Sequence, residues 1–347
     1  MDMKIDDQFR RQAEQLHCGS PVVDAHLDLA GEILLRQEAG EKDIIARHYL
    51  ENFKKAGLSL LISSIYVDDV MLPEKGLRNA LNQISALQSD LAGLADEVVL
   101  IKNSTDFESA RDKGLIGILL YMEGLDCIGD DLRLLSTFYE LGVRGASLTW
   151  SRRNQLANGC CRAREHIQIP GGLSAAGRSV IRELERYACF IDISHLNDDG
   201  FDEVMALTTK PVIATHSNAR SVYDSYRNLT DAQIKKLAER GGMIGINGCT
   251  LIAGSHKQGN HLEMLCKHIE HIVQLVGSDH VGYGFDLCDS YGRAEPRLQF
   301  EATSFDCLAD HSEMVLVTAA LLQRGMPAEA VRSIIGGNFY RYIHGIV

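Results

Sequence analysis

The residues best equipped for chemistry in this chain are far apart in sequence but share a local context. Asp24-Ala25-His26-Leu27-Asp28 sets an imidazole and a carboxylate two positions apart. Residues i and i+2 of a strand face the same side, so His26 and Asp28 are expected to point together. Glu123, His195, His216 and Asp286 each close a short apolar run. Singly, each has an ordinary reading: a hydrogen-bonded core histidine, a helix cap, a turn residue. Together they amount to three imidazoles and three carboxylates, and burying such a set in one place is strongly unfavourable unless something cationic neutralises it. Imidazole with carboxylate suits Zn²⁺, with Mn²⁺, Fe²⁺ and Co²⁺ as alternatives. The set is too large for one catalytic zinc that keeps a water, and sufficient for two metals sharing a carboxylate. Two such ions, about 3.5–4 Å apart, can hold a hydroxide between them and polarise a scissile carbonyl. Asp286 is then the group left to take a proton from the bridging water and return it to the leaving amine.

That chemistry needs a frame that gathers distant strand ends. Eight apolar runs of strand length supply one: Pro21–Leu29, Leu58–Val67, Ile116–Gly124, Val143–Trp150, Cys189–His195, Pro211–Ser217, Gly242–Asn247 and His280–Asp286. Several lack polar alternation, as parallel strands covered on both faces do. Amphipathic segments lie between them, at Gly76–Leu94, Ser174–Tyr187, Thr230–Arg240, His261–Val276 and Ser312–Arg324. Eightfold strand–helix alternation argues for a closed (β/α)₈ TIM barrel over an open doubly wound sheet. The candidate ligands then fall at the C-terminal ends of strands, where such barrels carry their sites. The segments Gly159–Gly172, Gly254–Asn260 and Cys288–Ser304 read as loops at that mouth.

The 347 residues suit a single barrel domain, 1–347, with residues 1–20 as an N-terminal helical extension whose Phe9, Ala13 and Leu16 fit a short surface helix. Hydrophobic residues make up 45% and charged residues 24%, an ordinary soluble composition. No apolar run approaches the roughly 18 residues of a membrane span, and Met1–Gln15 lacks the apolar core of a secretion signal. Both features point to a cytoplasmic protein that does not engage a membrane. A net charge of −12 disfavours nucleic acid as a partner. The nine cysteines form no CxxC pair, so a zinc ribbon or redox motif is not indicated, and free thiols are expected; Cys160 and Cys161 are adjacent. His17, His48, His256, His261, His268, His271, His311 and His344 are expected to be solvated. His280 is expected to be structural, and His166 lies on the long loop where substrate could approach.

The chain resembles the renal dipeptidase (membrane dipeptidase, peptidase M19) family of the amidohydrolase superfamily. The resemblance runs from about Val22 to Arg341. It rests on Asp24-Ala25-His26-Leu27-Asp28, Tyr121-Met122-Glu123-Gly124, Asp192-Ile193-Ser194-His195, Thr215-His216-Ser217-Asn218, Arg227-Asn228 and His280-Val281-Gly282 with Asp286. It implies a dipeptidase, a metallo-exopeptidase with two Zn²⁺ per chain. His26 and Asp28 would bind one, His195 and His216 the other, and Glu123 would bridge them. Asp286 would shuttle the proton and Arg227 would pair with the substrate's terminal carboxylate through its two-pronged donor. It also implies a possible homodimer. One position departs from the pattern: the family dipeptidases usually follow the Leu-Thr pair with a histidine that helps to hold the substrate, and here Leu148-Thr149 is followed by Trp150, the only tryptophan. Arg152 and Arg153 follow after Ser151 and are candidates to replace it, with Trp150 and Arg153 taken as substrate-binding. The departure leaves open a lactone, a cyclic amide or a specialised metabolite as substrate. A catalytically silent binding protein is the remaining alternative, disfavoured by the intact ligand set.

Overall fold

In a computed structural model of the chain, described here for residues 3–160, 170–255, 260–294 and 306–347, the Val- and Ile-rich runs line up as parallel strands. They are β1 (Val22–Leu27), β2 (Leu58–Tyr66), β3 (Val98–Leu100), β4 (Ile116–Glu123), β5 (Val143–Ser147), β6 (Phe190–Asp192), β7 (Ile213–Ala214), β8 (Met243–Ile246) and β9 (Val281–Tyr283). The order is β2-β1-β9-β8-β7-β6-β5-β4-β3, and β2 also pairs with β4. That last pairing closes a ring of eight parallel strands, the expected (β/α)₈ barrel.

β3 is the strand that the apolar runs do not reveal. β2 occupies one edge of β4 over Gly117–Glu123, so the other edge is divided: β3 takes Ile116–Ile118 and β5 begins at Leu120. β3 is therefore an appendage outside the ring.

Two apolar layers hold the barrel. One fills its interior with Val23, Ala25, Leu60, Ile62, Leu119, Tyr121, Phe190, Ile213 and Met243, joined by Phe339 and Ile343 of the helix Asn338–His344. The other lies between the strands and the surrounding helices. Helix starts follow the expected chemistry. Ser174 caps the helix Ala175–Arg186 by accepting from the Gly177 N–H, and Thr230 and Gln233 form a capping box on Asp231–Ala238.

The N-terminal helix Asp7–Gly19 is not a solvated appendage, because Ala13, Leu16 and His17 are buried. The His17 ring reaches the Ala56 carbonyl and the Thr318 hydroxyl, both at 2.7 Å. His268 and His311 are buried as well, so three of the histidines expected in solvent are core residues. Each is tolerated there because it finds polar partners; His268, for example, reaches the Ala253 carbonyl and the Ala219 N–H. Among the described residues no helix is long and apolar enough to cross a membrane. His166, His256 and Cys161 lie outside the described residues, as does much of the three mouth loops.

Candidate metal centre

The strand ends converge as expected, but β1 does so by an unexpected route. Its register against β2 runs Asp24↔Leu61 and then Leu27↔Ser63, three steps against two. The extra residue is a bulge, which re-aims side chains and breaks strict alternation. Ala25 can thus join the barrel interior while its neighbour His26 turns to the metal centre. Asp28 lies beyond the strand, at the N-cap of the helix Leu29–Glu38. Asp24 fixes the bend: its Oδ1 accepts the N–H of His26 at 3.3 Å and that of Phe285 at 2.9 Å. That ties β1 to the segment carrying Asp286. Asp286 has φ = 55°, in the left-handed region that Asp tolerates better than most residues.

At this end of the barrel, potential ligand atoms of His26, Asp28 and Glu123, of Glu123, His195 and His216, and of His26, His216 and Asp286 form groups lying within 4.8 Å of one another. Glu123, the last residue of β4, sits in the middle with its two oxygens facing opposite ways. Oε2 is 3.7 Å from His26 Nε2. Oε1 is 2.9 Å from His195 Nε2 and 3.3 Å from His216 Nε2. His26 Nε2 also lies 3.8 Å from Asp28 and 3.5 Å from Asp286. The structure thus brings together all five expected ligands and Asp286.

Each imidazole is held from behind by a hydroxyl on Nδ1: Tyr121 on His26 at 2.5 Å, Ser151 on His195 at 2.8 Å and Thr215 on His216 at 2.7 Å. With Nδ1–H donating, every Nε2 lone pair faces the cluster, the usual outer arrangement of metal-binding histidines. Asp28 accepts a short hydrogen bond from Ser64. Asn247 Nδ2 donates to Asp286 Oδ2 at 2.9 Å, and the Cys288 thiol sits 3.2 Å from Asp286 Oδ1. Tyr121 and Thr215 belong to the motifs quoted above, but the sequence assigns none of these residues a role as partner to a ligand.

The electrostatics fit a cation. Burial, reinforced by Asp28 and Asp286, pushes the Glu123 carboxyl well above the usual range. Burial raises Asp28 to about 6, and burial with the Asp28 charge raises Asp286 to about 7. Burial drives all three imidazoles well below their ordinary value, with Arg227 adding to the effect. Without a positive charge, carboxylates here resist ionising; with one, both donor types take their metal-binding forms. His26 Nε2 is the sharpest sign, because it is fully buried and has no hydrogen-bond partner among the described residues.

Arg227 is buried beside the histidines. Its guanidinium donates to the carbonyls of Ser194 and His216 and to Ser217 Oγ, and Nη2 comes within 3.1 Å of His195 Nε2. Trp150 is half-buried, stacked on His195 at 5.6 Å between ring centroids and tilted against Tyr66 at 5.4 Å. The two arginines that follow it part company. Arg152 backs the aromatic pair and is held by Asp69, Asp126 and the Val67 carbonyl. Arg153 is exposed and is not among the clustered groups. Cys160 is buried 3.7 Å from the Ser151 hydroxyl.

The chain matches the family described as membrane dipeptidase (peptidase family M19) over residues 10–346. Dipeptidase 3 of Rattus norvegicus is 28% identical over 353 aligned positions, covering 97% of this chain and 67% of that protein. Among solved structures, a metallopeptidase from Rhodobacter sphaeroides carrying a phosphinate mimic of the dipeptide L-Ala-D-Ala superimposes with a TM-score of 0.83 at 27% identity, covering 94% of this chain and 99% of that one. A metallopeptidase called dipeptidase AC gives 0.81 at 28% identity, covering 94% and 98%. Fold, clustered donors and these likenesses agree, and the chain belongs to the membrane dipeptidase family, peptidase family M19, a family of metallo-dipeptidases.

Proposed function

We propose that this protein hydrolyses the amide bond of dipeptides or related small N-acyl amino acids with two zinc ions per chain. His26 and Asp28 would hold one ion, His195 and His216 the other, and Glu123 would contact both. The observation that supports this most is the placement of Glu123, one oxygen turned to His26 and the other to His195 and His216. Zinc bound there would polarise the scissile carbonyl and make a water acidic enough to attack near neutral pH.

The chain's own groups would do the rest. Asp286, anchored through Oδ2 by Asn247, presents Oδ1 to the centre. Its carboxylate can take a proton there and return it. Arg227 would offer its fork to the terminal carboxylate of the substrate. Trp150 would supply an apolar wall beside His195. Arg153 would meet only the part of a substrate that extends outward.

Trp150 also favours a second reading, the same hydrolytic centre acting on a lactone, cyclic amide or specialised metabolite. An indole accepts no proton and carries no charge where the family usually places a histidine. Purified protein should contain about two zinc equivalents per chain and release amino acids from L-Ala-D-Ala and from L,L-dipeptides. Bound metal with no turnover across a dipeptide panel would reject the first reading. A gain of dipeptide turnover in Trp150→His would then support the second.

A further inference from the structure

We infer that Asp192 is a positioning residue that fixes the tautomer of His216 and, through Tyr121, that of His26, so that one carboxylate outside the metal centre orients ligands of both metal positions. The inference rests on the reading of these histidines as ligands, not on the identity of the substrate.

Asp192 ends β6 and is buried, three residues before His195. Its Oδ1 accepts the Ser194 N–H at 3.0 Å, the Ser194 hydroxyl at 2.6 Å and the Thr215 N–H at 3.0 Å. Its Oδ2 lies 2.7 Å from Thr215 Oγ1. A carboxylate can only accept, so the single hydroxyl proton of Thr215 goes to Asp192. Thr215 Oγ1 is then left to accept from its other close neighbour, His216 Nδ1 at 2.7 Å. The proton of His216 therefore sits on Nδ1, and its Nε2 lone pair faces Glu123.

A longer contact, at the outer limit of a hydrogen bond, carries the relay one step further. The Tyr121 hydroxyl lies 2.5 Å from His26 Nδ1 and 3.5 Å from Thr215 Oγ1. Pointing its proton at Thr215 lets it accept from His26 Nδ1–H, which turns the unpartnered Nε2 of His26 towards Asp28, Glu123 and Asp286. His195 touches His216, with the two Nε2 atoms 2.9 Å apart, but its tautomer is set from outside the relay: Arg227 can only donate to its Nε2, which leaves the proton on Nδ1 facing Ser151. It therefore serves as the comparison residue.

The wall carrying the relay has little room to adjust. A Cβ on either Gly245 or Gly284 would sit 1.9 Å from the Thr215 carbonyl oxygen, so Thr215 is clamped between two close backbones.

The test is long-range ¹H–¹⁵N NMR of histidine-labelled, metal-free protein at pH 8, together with zinc competition against a chelator. The parent should show His26, His195 and His216 protonated at Nδ1. Thr215→Val should move His216 towards the Nε2–H form, with a smaller change at His26 and none at His195. Its weaker zinc site should lose about 10- to 100-fold in affinity, and Thr215→Ser should stay within about threefold of the parent. Asp192→Asn, whose amide can donate to Thr215, should reproduce the valine pattern if Thr215→Val does not fold. A folded Thr215→Val with an unchanged His216 tautomer and parental zinc affinity would overturn the inference. So would a shift of all three histidines together. Neither reading requires turnover, so a failure of the dipeptidase proposal would leave this result separately readable.

Discussion

On one side of Glu123 lie His26, Asp28 and Asp286; on the other lie His195, His216 and Arg227. The first side is anionic and built on irregular backbone, a bulged strand and a left-handed aspartate. Its two aspartates keep 15% and 16% of their side-chain surface exposed. The second side is formally neutral apart from an arginine and is almost fully buried. On the reading proposed above, a divalent ion on the first side would be balanced by carboxylates. An ion on the second would share Glu123 and otherwise be held by neutral donors within reach of a guanidinium, keeping more of its charge for a substrate carbonyl. The first side would then anchor and move protons, and the second would polarise.

The largest expected effect comes from the residue common to both. Glu123→Gln should lose metal from both positions and lower turnover by about 10³-fold or more; full retention of two zinc ions by elemental analysis would contradict a shared ligand. Next, Asp286→Asn should lower kcat by about 10²- to 10⁴-fold while zinc content stays at the parental level. Loss of zinc in that variant would make Asp286 a ligand and erase the functional contrast. Arg227→Met should then raise KM for substrates with a free carboxylate, costing about 2–3 kcal/mol or roughly 30- to 150-fold in kcat/KM. Esterified or amidated substrates should be spared; if they suffer equally, Arg227 serves the histidines rather than the substrate.

A further effect, on stability rather than on turnover, separates the two sides by pH. In metal-free protein, Asp28 and Asp286 have carboxyls raised to about 6 and about 7. The folded state keeps protons there that the unfolded chain releases, so this side costs stability above pH 7, and the cost fades as pH falls towards 4. His195 and His216 are lowered below 6.5. There the unfolded chain takes up protons that the fold refuses, so stability is full above pH 6.5 and falls below it. Asp286→Asn should therefore raise the stability of metal-free protein at pH 8 by on the order of 2–4 kcal/mol, with no gain at pH 4. An equal gain in thermal denaturation at both pH values would break the contrast.

The sequence made the cluster legible because strand ends are marked by charged residues after apolar runs, as at Glu123 and Asp286. It could not show the bulge, since Asp24 to Leu27 reads as a regular alternation and only the pairing with β2 reveals the extra residue. β3 escaped notice because three residues, Val98–Leu100, leave no periodic signal. β6 and β7 shrink to three and two paired residues inside longer apolar runs, so those runs mark buried chain rather than hydrogen-bonded ladder. The hydroxyls behind the imidazoles were invisible for another reason. Serine, threonine and tyrosine are common, and nothing in Ser151, Thr215 or Tyr121 distinguishes a histidine's partner from any other polar residue. His17 and His268 are buried rather than solvated because burial of a histidine depends on partners such as Ala56 and Ala253 that only the folded chain supplies.

The surplus residue in β1 makes the centre sensitive to chain length as well as to side-chain type. Removing Ala25 would let Asp24, His26 and Leu27 pair one for one with Leu61, Ile62 and Ser63, and would so remove the bend in the backbone that aims His26. The imidazole of His26 would then leave the pocket although no ligand had been replaced. A shortened chain of this kind could retain a folded barrel while losing its grip on metal, a silencing that a comparison of residue identities alone would overlook.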